Sequence, residues 1–100
     1  WGEQVKELAR DAVRKSLVLL KNNDSALPLR AGERVLIAGN AATDVSRQVG
    51  GWTVTWQGTD TSDVDFPHAT KISDAIVARG EELGSEVIVT SSFTDVEGEK

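Results

Sequence analysis

Cysteine is absent from this 100-residue sequence, which excludes both a disulfide framework and a thiolate metal site. Long apolar runs are absent too, because the longest, residues 17–20, falls far short of the roughly 20 residues of a membrane-spanning helix. The amino end shows no apolar core of a signal peptide, since acidic residues interrupt it. Basic residues number 11 against 16 acidic ones, a net charge of −5, and they are scattered along the chain. We therefore expect neither a nucleic acid nor a membrane as a partner.

The length sets a second limit. A chain of 100 residues forms at most one small domain with a modest core. It opens on Trp1 and closes on the polar residues 95–100, and neither end resembles a domain boundary. We expect a piece of a longer protein.

The first 30 residues predict a helix followed by extended chain. Apolar residues recur at helical spacing over residues 5–13 with charged residues on the other side, which indicates an amphipathic helix of roughly four turns that ends near Ser16. Residues 17–20 lack a polar face, which favours a short buried strand. Proline disfavours helix at Leu27, so Leu27-Pro28-Leu29 predicts an extended connector. Residues 1–30 are therefore interpreted as a linker helix, a short strand and a connector.

Residues 31–100 show the alternation of an α/β fold. The apolar run 34–39 is typical of a parallel strand that is covered on both faces, and residues 86–90 predict a second sheet strand. Between them the sequence predicts further elements: a short helix within residues 40–49, a brief strand at Val54, a loop over residues 58–67, and a helix over residues 71–82 capped by Thr70.

Three other kinds of binding site are disfavoured by the number or the spacing of the residues that they need. A single glycine, Gly39, follows the first strand where a dinucleotide-binding turn needs three. His68 is the only histidine, so a zinc site would lack its preferred ligands. Asp60, Asp63 and Asp65 alternate but lack the glycine and distal glutamate of a calcium-binding EF-hand, which favours a solvated acidic loop. We assign no metal and no cofactor.

The most informative segment is Gly-Gly-Trp-Thr-Val-Thr-Trp-Gln-Gly at residues 50–58. A flat indole beside an amide and glycine backbone complements both the C–H face and the hydroxyl groups of a sugar, which makes carbohydrate the first ligand to consider. The alternative is that Trp52 and Trp56 share one face of a strand and pack into the core. The flanking glycines are costly in a core strand but useful beside a pocket, and both interpretations remain open at this point.

Four ordered motifs carry a family resemblance. They are residues 7–22, 27–29, 34–39 and 47–58, and together they span about residues 3 to 90. This pattern resembles glycoside hydrolase family 3, most closely its exo-acting β-glucosidases and β-glucan glucohydrolases. The resemblance implies an amino-terminal (β/α)8 barrel joined to an α/β/α sandwich. Residues 31–100 are then the first part of that sandwich, a partial three-layer structure with the first strands of a mostly parallel sheet, preceded by the linker helix.

The resemblance also implies roles for individual residues. Trp56 corresponds to one plate of an aromatic clamp on the aglycone-side glucose, with a partner tryptophan from the barrel. Trp52 then supports the loop, and Arg47 and Gln48 help to fix its approach to the active site. The implied substrates are β-linked glucosides or gluco-oligosaccharides.

Catalysis in the family resembles the retaining scheme, with a carboxylate nucleophile and a separate acid/base carboxylate. The nucleophile belongs to the barrel, and the acid/base glutamate belongs to a segment beyond this chain. Glu97 and Glu99 lie in a terminal polar run without a matching motif, so no catalytic residue is assigned and the chain alone is predicted to be inactive. The sequence itself does not indicate a compartment, and the resemblance implies a periplasmic or secreted protein, as is common among members of the family. The alternative hypothesis is a freestanding, non-catalytic α/β module that binds carbohydrate or another partner.

Overall fold

The computed structural model describes residues 2–91. The elements in chain order are helix α1, strand β1, the short helix α2, helix α3 and strand β2, with bounds Glu3–Ser16, Arg34–Ala38, Val45–Val49, Ile72–Leu83 and Glu86–Thr90. Two single 3-10 turns lie at Asn23–Ser25 and Asp63–Asp65. The predicted α/β class is confirmed. Within residues 2–91, no helix is both long and apolar enough to cross a membrane.

Strands β1 and β2 form a parallel pair, as the sequence predicted. Their register runs from Arg34 opposite Glu86 to Ala38 opposite Thr90. At the first rung, Arg34 Nε donates to Glu86 Oε2 at 2.6 Å, and beyond the last rung Gly39 N–H donates to the Thr90 carbonyl at 3.1 Å. The residues between these ends are mostly apolar. This is expected of parallel strands, because helices normally cover both faces of a parallel sheet.

Helix α3 covers one face of this sheet. Gly80 is buried, and a Cβ atom built on it would overlap Cγ2 of Val87 in β2. Gly84 ends the helix in the left-handed conformation at φ 66°, as is common after the last helical turn. Helix α3 runs back between two parallel strands, so its first turn lies at the edge where the strands end. Ser73 N–H there donates to the Ala42 carbonyl at 3.0 Å.

The sequence-based prediction for residues 17–20 is wrong. These residues form no strand, and they are 64% to 91% exposed. A strand needs a neighbouring strand for its backbone hydrogen bonds, and none in residues 2–91 pairs with this segment. Residues 17–20 are apolar, but no strand among residues 2–91 pairs with them or buries them.

Two smaller predictions are also wrong. Val54 lies in a succession of bends rather than in a strand, because the chain turns back on itself between two close glycine backbones. Thr70 does not cap α3: Lys71 occupies the N-cap position with extended backbone, and no side chain makes the cap hydrogen bond. Helix α1 ends at Ser16 as predicted.

Only two apolar residues are buried among the described residues, Ile37 of β1 and Val45 of α2. Helix α1 buries none of its residues. Ion pairs lie along its polar side, such as the one between Lys15 Nζ and Asp11 Oδ2 at 2.7 Å. Its apolar face, with Leu8 69% exposed, is open. The small core therefore lies between the sheet, α2 and α3.

Candidate functional site

Residues 50–58 form a closed loop, named here the tryptophan loop. It begins where α2 ends, and Gly50 N–H donates to the Ser46 carbonyl of α2 at 3.1 Å. At the other end Gly58 has φ +72°, and a Cβ atom on it would lie 2.7 Å from the Gly50 carbonyl oxygen. A Cβ atom on Gly51 would lie 2.9 Å from the Trp56 carbonyl oxygen. The two ends of the loop thus approach each other so closely that side chains do not fit.

Hydrogen bonds within the loop, and one to Thr59 directly after it, replace the backbone ladder of the strand that was predicted there. Trp52 N–H donates to the Trp56 carbonyl at 2.9 Å. Thr53 Oγ1 donates to the Gly50 carbonyl at 3.0 Å, and Thr55 Oγ1 donates to the Thr59 carbonyl at 2.8 Å. The backbone polar groups are therefore partly satisfied within the loop itself, as expected of a compact surface loop.

Both tryptophans project from the loop. Trp56 is 68% exposed and Trp52 is 84% exposed. Their ring centroids lie 5.9 Å apart at an interplanar angle of 71°, an edge-to-face arrangement that aromatic pairs favour. The interpretation that both rings pack into the core is wrong. Open indole faces of this kind offer apolar area to the C–H groups of a flat ligand.

Arg47 and Gln48 lie on α2, immediately before the tryptophan loop. Arg47 Nε contacts Asp44 Oδ2 at 3.1 Å, and its backbone N–H donates to Asp44 Oδ1, which caps α2. Gln48 Nε2 donates to the carbonyls of Ala41 and Ala42 at 2.8 and 3.0 Å. Both side chains thus hold α2 and the turn before it. Their roles toward a ligand stay predictions.

An ion pair that the sequence analysis missed lies beside this helix. Lys71 Nζ and Asp63 Oδ2 are 2.5 Å apart. The hydrogen bond from Lys71 holds the pKa of Asp63 below its ordinary value, and the backbone N–H of Val45 acts in the same direction. The same hydrogen bond raises the pKa of Lys71. Opposite charges eight positions apart in a loop are a weak sequence signal.

The directions of these two pKa shifts define the pH range in which the ion pair contributes to the stability of the fold. A depressed Asp63 pKa gives a contribution that is present above the ordinary aspartate pKa of about 3.9 and is lost as the pH falls through the folded-state pKa. A raised Lys71 pKa gives one that is present below about 10.4 and is lost as the pH rises through the folded-state pKa. The pair is therefore charged throughout the neutral range.

Other features of the described residues do not form a site with the tryptophans. Within residues 2–91, no three or more His, Asp or Glu side chains are grouped to hold a metal ion. An open cavity of about 420 Å³ lies between α1 and the chain before α3, lined by residues such as Arg10, Arg14, His68 and Thr70. One of its walls is the largely exposed helix α1, so it is a gap beside a loosely packed helix and contains no part of the tryptophan loop.

Several known proteins are similar to this chain in sequence or in fold. No family model matches the chain. The lysosomal β-glucosidase of Dictyostelium discoideum is 37% identical over 71 residues, which cover 69% of this chain and 8% of that protein. A β-glucosidase of Pyricularia oryzae is 30% identical over 94 residues, covering 87% of this chain and 13% of that protein. The crystal structure of an exo-1,3/1,4-β-glucanase from Pseudoalteromonas sp. matches 92% of this chain and 12% of its own with 46% identity and a TM-score of 0.82.

These relatives are all named as enzymes that cleave β-glucosides or β-glucans, so the fold is that of a glycoside hydrolase segment. The chain belongs to glycoside hydrolase family 3, as the four motifs indicated. It spans between 8% and 13% of the length of the relatives that it matches.

Proposed function

We propose that this chain is part of a retaining, exo-acting β-glucosidase that removes terminal β-D-glucosyl residues from oligosaccharides or β-glucans. Its tryptophan loop supplies an aromatic wall of the sugar site. The observation that carries this role of the loop is the exposure of Trp56, 68% of whose surface is open on a loop closed by its own backbone hydrogen bond between Trp52 and Trp56. A large exposed aromatic ring is costly to leave in water and is typical of a binding surface.

Within this wall, Trp56 stacks on the aglycone-side glucose and Trp52 supports it edge-on. The 71° angle between the rings lets the edge of one indole contact the face of the other, which favours a fixed orientation of the pair. Arg47 and Gln48 fix the approach of the loop through their bonds to Asp44 and to the Ala41 and Ala42 carbonyls.

The catalytic carboxylates belong to other parts of the whole enzyme in this proposal. The nucleophile comes from a (β/α)8 barrel, and the acid/base glutamate follows this chain. Glu97 and Glu99 lie outside the described residues and are given no role. We expect the 100 residues alone to release no glucose from an aryl β-glucoside, and turnover by this chain would contradict that expectation.

The alternative of a freestanding binding module has less support. The named relatives are enzymes of which this chain covers 8% to 13%, and both hypotheses explain exposed tryptophans equally well. Glucose release by the full-length protein decides between them.

The stacking role is tested by Trp56→Ala in the full-length enzyme. Losing the ring raises KM for cellobiose and laminaribiose by about twofold to tenfold, since aromatic stacking is worth about 0.5–1.5 kcal/mol. Val54→Ala is the matched control, because Val54 is an exposed apolar residue of the same loop. Unchanged disaccharide kinetics in Trp56→Ala would remove the basis of the proposal.

A further inference from the structure

Two backbone hydrogen bonds hold the part of the tryptophan loop that carries Trp56. The direction in which this side chain leaves the chain is set by the two peptide units on either side of its Cα atom. The following unit is held at the Trp56 carbonyl, which accepts from Trp52 N–H at 2.9 Å. The preceding unit is held at the Thr55 carbonyl, which accepts from Gly58 N–H at 3.4 Å, a long distance for such a bond. The backbone alone therefore holds one side of Trp56 more weakly than the other.

The side chain of Thr55 supplies a shorter hydrogen bond on the weakly held side. Thr55 Oγ1 donates to the Thr59 carbonyl at 2.8 Å, and this bond spans Trp56, Gln57 and Gly58. Thr55 is half-buried, whereas the other residues of the range 51–57 are exposed, because its side chain turns back onto the chain that follows the loop. The hydroxyl of Thr55 thus fixes the residue that directly precedes Trp56.

The acceptor of this bond lies beside the point where the two ends of the loop meet. Gly58 directly precedes Thr59, and a Cβ atom on Gly58 would lie 2.7 Å from the Gly50 carbonyl oxygen. Gly50 in turn is joined to α2, since its N–H donates to the Ser46 carbonyl at 3.1 Å. The Thr55 hydroxyl therefore ties the middle of the tryptophan loop to the base of that loop next to α2.

We propose that Thr55 is a positioning residue for the sugar site, whose hydroxyl fixes the orientation in which Trp56 meets the aglycone-side glucose. This inference rests on the proposed function. Thr55 contacts no substrate in it and acts only through the backbone of Trp56. Stacking depends on the angle between the indole and the sugar face, so a ring that is free to turn loses contact area and loses more conformational freedom when the sugar binds.

The test uses Thr55→Val in the full-length enzyme, which removes the hydroxyl and keeps the β-branched shape of the side chain. The matched control is Thr61→Val, because Thr61 is also half-buried but its side chain makes no hydrogen bond within residues 2–91. We expect Thr55→Val to raise KM for cellobiose about twofold to fivefold, the lower part of the range that one net hydrogen bond represents, since the ring itself remains. KM for β-D-glucosyl fluoride, which has no aglycone ring, stays unchanged in both variants.

The double variant Thr55→Val/Trp56→Ala distinguishes positioning from a general loss of structure. If Thr55 acts through Trp56, its effect on the cellobiose KM disappears once the ring is absent, and the double variant equals Trp56→Ala. An additive effect in the double variant would mean that Thr55 acts by another route and that the inference is wrong. A loss of folded enzyme instead lowers kcat on both substrates equally and leaves KM unchanged. Thr55→Ser should restore most of the cellobiose KM, because the hydroxyl returns.

Hydrogen exchange of the peptide covering residues 50–59 gives a readout that does not depend on activity. Faster exchange in Thr55→Val than in Thr61→Val, together with the raised KM for cellobiose, supports the inference. Equal exchange in these two variants, or an unchanged cellobiose KM in Thr55→Val, means that the hydroxyl does not position the ring; the proposed function then stands on Trp56→Ala alone. If Trp56→Ala itself leaves the cellobiose KM unchanged, the proposed sugar site fails and the inference fails with it.

Discussion

Gly58 shows how a single residue controls the shape of the tryptophan loop. Its φ of +72° is strained for any residue with a Cβ atom, and that atom would also lie 2.7 Å from the Gly50 carbonyl oxygen. These are separate penalties, one local to the residue and one arising from the opposite side of the loop. The loop that presents Trp56 therefore depends on the absence of a side chain at position 58.

Gly58→Ala and Gly32→Ala separate the two penalties in the full-length enzyme. Gly32 has a similar φ of +79° but open space around it, so alanine there adds backbone strain alone, about 1 kcal/mol. Gly58→Ala adds the overlap as well and should raise KM for cellobiose, while Gly32→Ala should not. Equal disaccharide KM values for the two variants would show that the close approach of the loop ends is not needed.

Trp52 is a second residue of the tryptophan loop with a strained backbone conformation. Its φ of 57° is unusual for a bulky side chain, and its N–H is held by the Trp56 carbonyl at 2.9 Å. Strained backbone persists where the surrounding structure over-determines it and is frequent at functional sites. The sequence signal for this conformation was the glycine content of the segment, which indicated close backbone approach but not which residue turns.

At the scale of elements, the contact between α3 and β2 sets the position of the helix on the sheet. Gly80 is in the interior of α3, where glycine costs about 1 kcal/mol relative to alanine. A Cβ atom at this position would overlap Val87 Cγ2, so glycine permits the helix to approach the strand closely. The packing gain offsets the lower helix propensity.

Gly80→Ala should lower the thermal stability of the full-length enzyme in spite of its better helix propensity. Overpacking of this kind costs about 1–3 kcal/mol. In the double variant Gly80→Ala/Val87→Ala the overlap is removed, so it should be more stable than the sum of the single effects implies. A stabilising Gly80→Ala, measured as a raised midpoint of thermal inactivation, would contradict the packing argument.

Elements whose signals are local were predicted well. Strand β2 matches residues 86–90, β1 matches to within one residue, and α1 ends at Ser16 as expected. Their apolar periodicity is a property of the segment itself and survives whatever the rest of the chain does. Strands β1 and β2 could be predicted in this way because the contact that each one needs is with the other.

Elements that depend on partners were predicted poorly. Residues 17–20 have the composition of a strand but no neighbour in the described part of the chain. Val54 has strand propensity on both sides, yet the glycine positions 50, 51 and 58 bend the chain instead. In the candidate site, the exposed tryptophans follow from those glycines, whereas the ion pair of Asp63 with Lys71 arises only when the loop folds back on α3.

At the scale of the whole molecule, the apolar surface is large for so small a core. Two apolar residues are buried, while Leu8, Leu20 and Leu36 are 69%, 91% and 46% exposed. The radius of gyration is 15.7 Å, above the value of about 13 Å for a compact domain of this size. Exposed apolar area on this scale is typical of surface that other protein covers, and the matched relatives are much longer than the region that this chain covers.

Leu20→Lys tests whether this surface is covered in the longer protein. Leu20 is 91% exposed in residues 2–91, so in the isolated chain the substitution should leave thermal stability unchanged and should reduce aggregation. In the full-length enzyme the same change should be destabilising by about 2 kcal/mol or more, because it buries a charge where an apolar side chain belongs. The control is Val64→Lys, at an 82% exposed valine that lies in the loop after the tryptophans.

Two outcomes would contradict this argument. If Leu20→Lys has no effect on stability in either context, residues 17–20 face water in the enzyme. If the isolated chain is monomeric and unfolds in one sharp cooperative transition, its small core is sufficient without further protein.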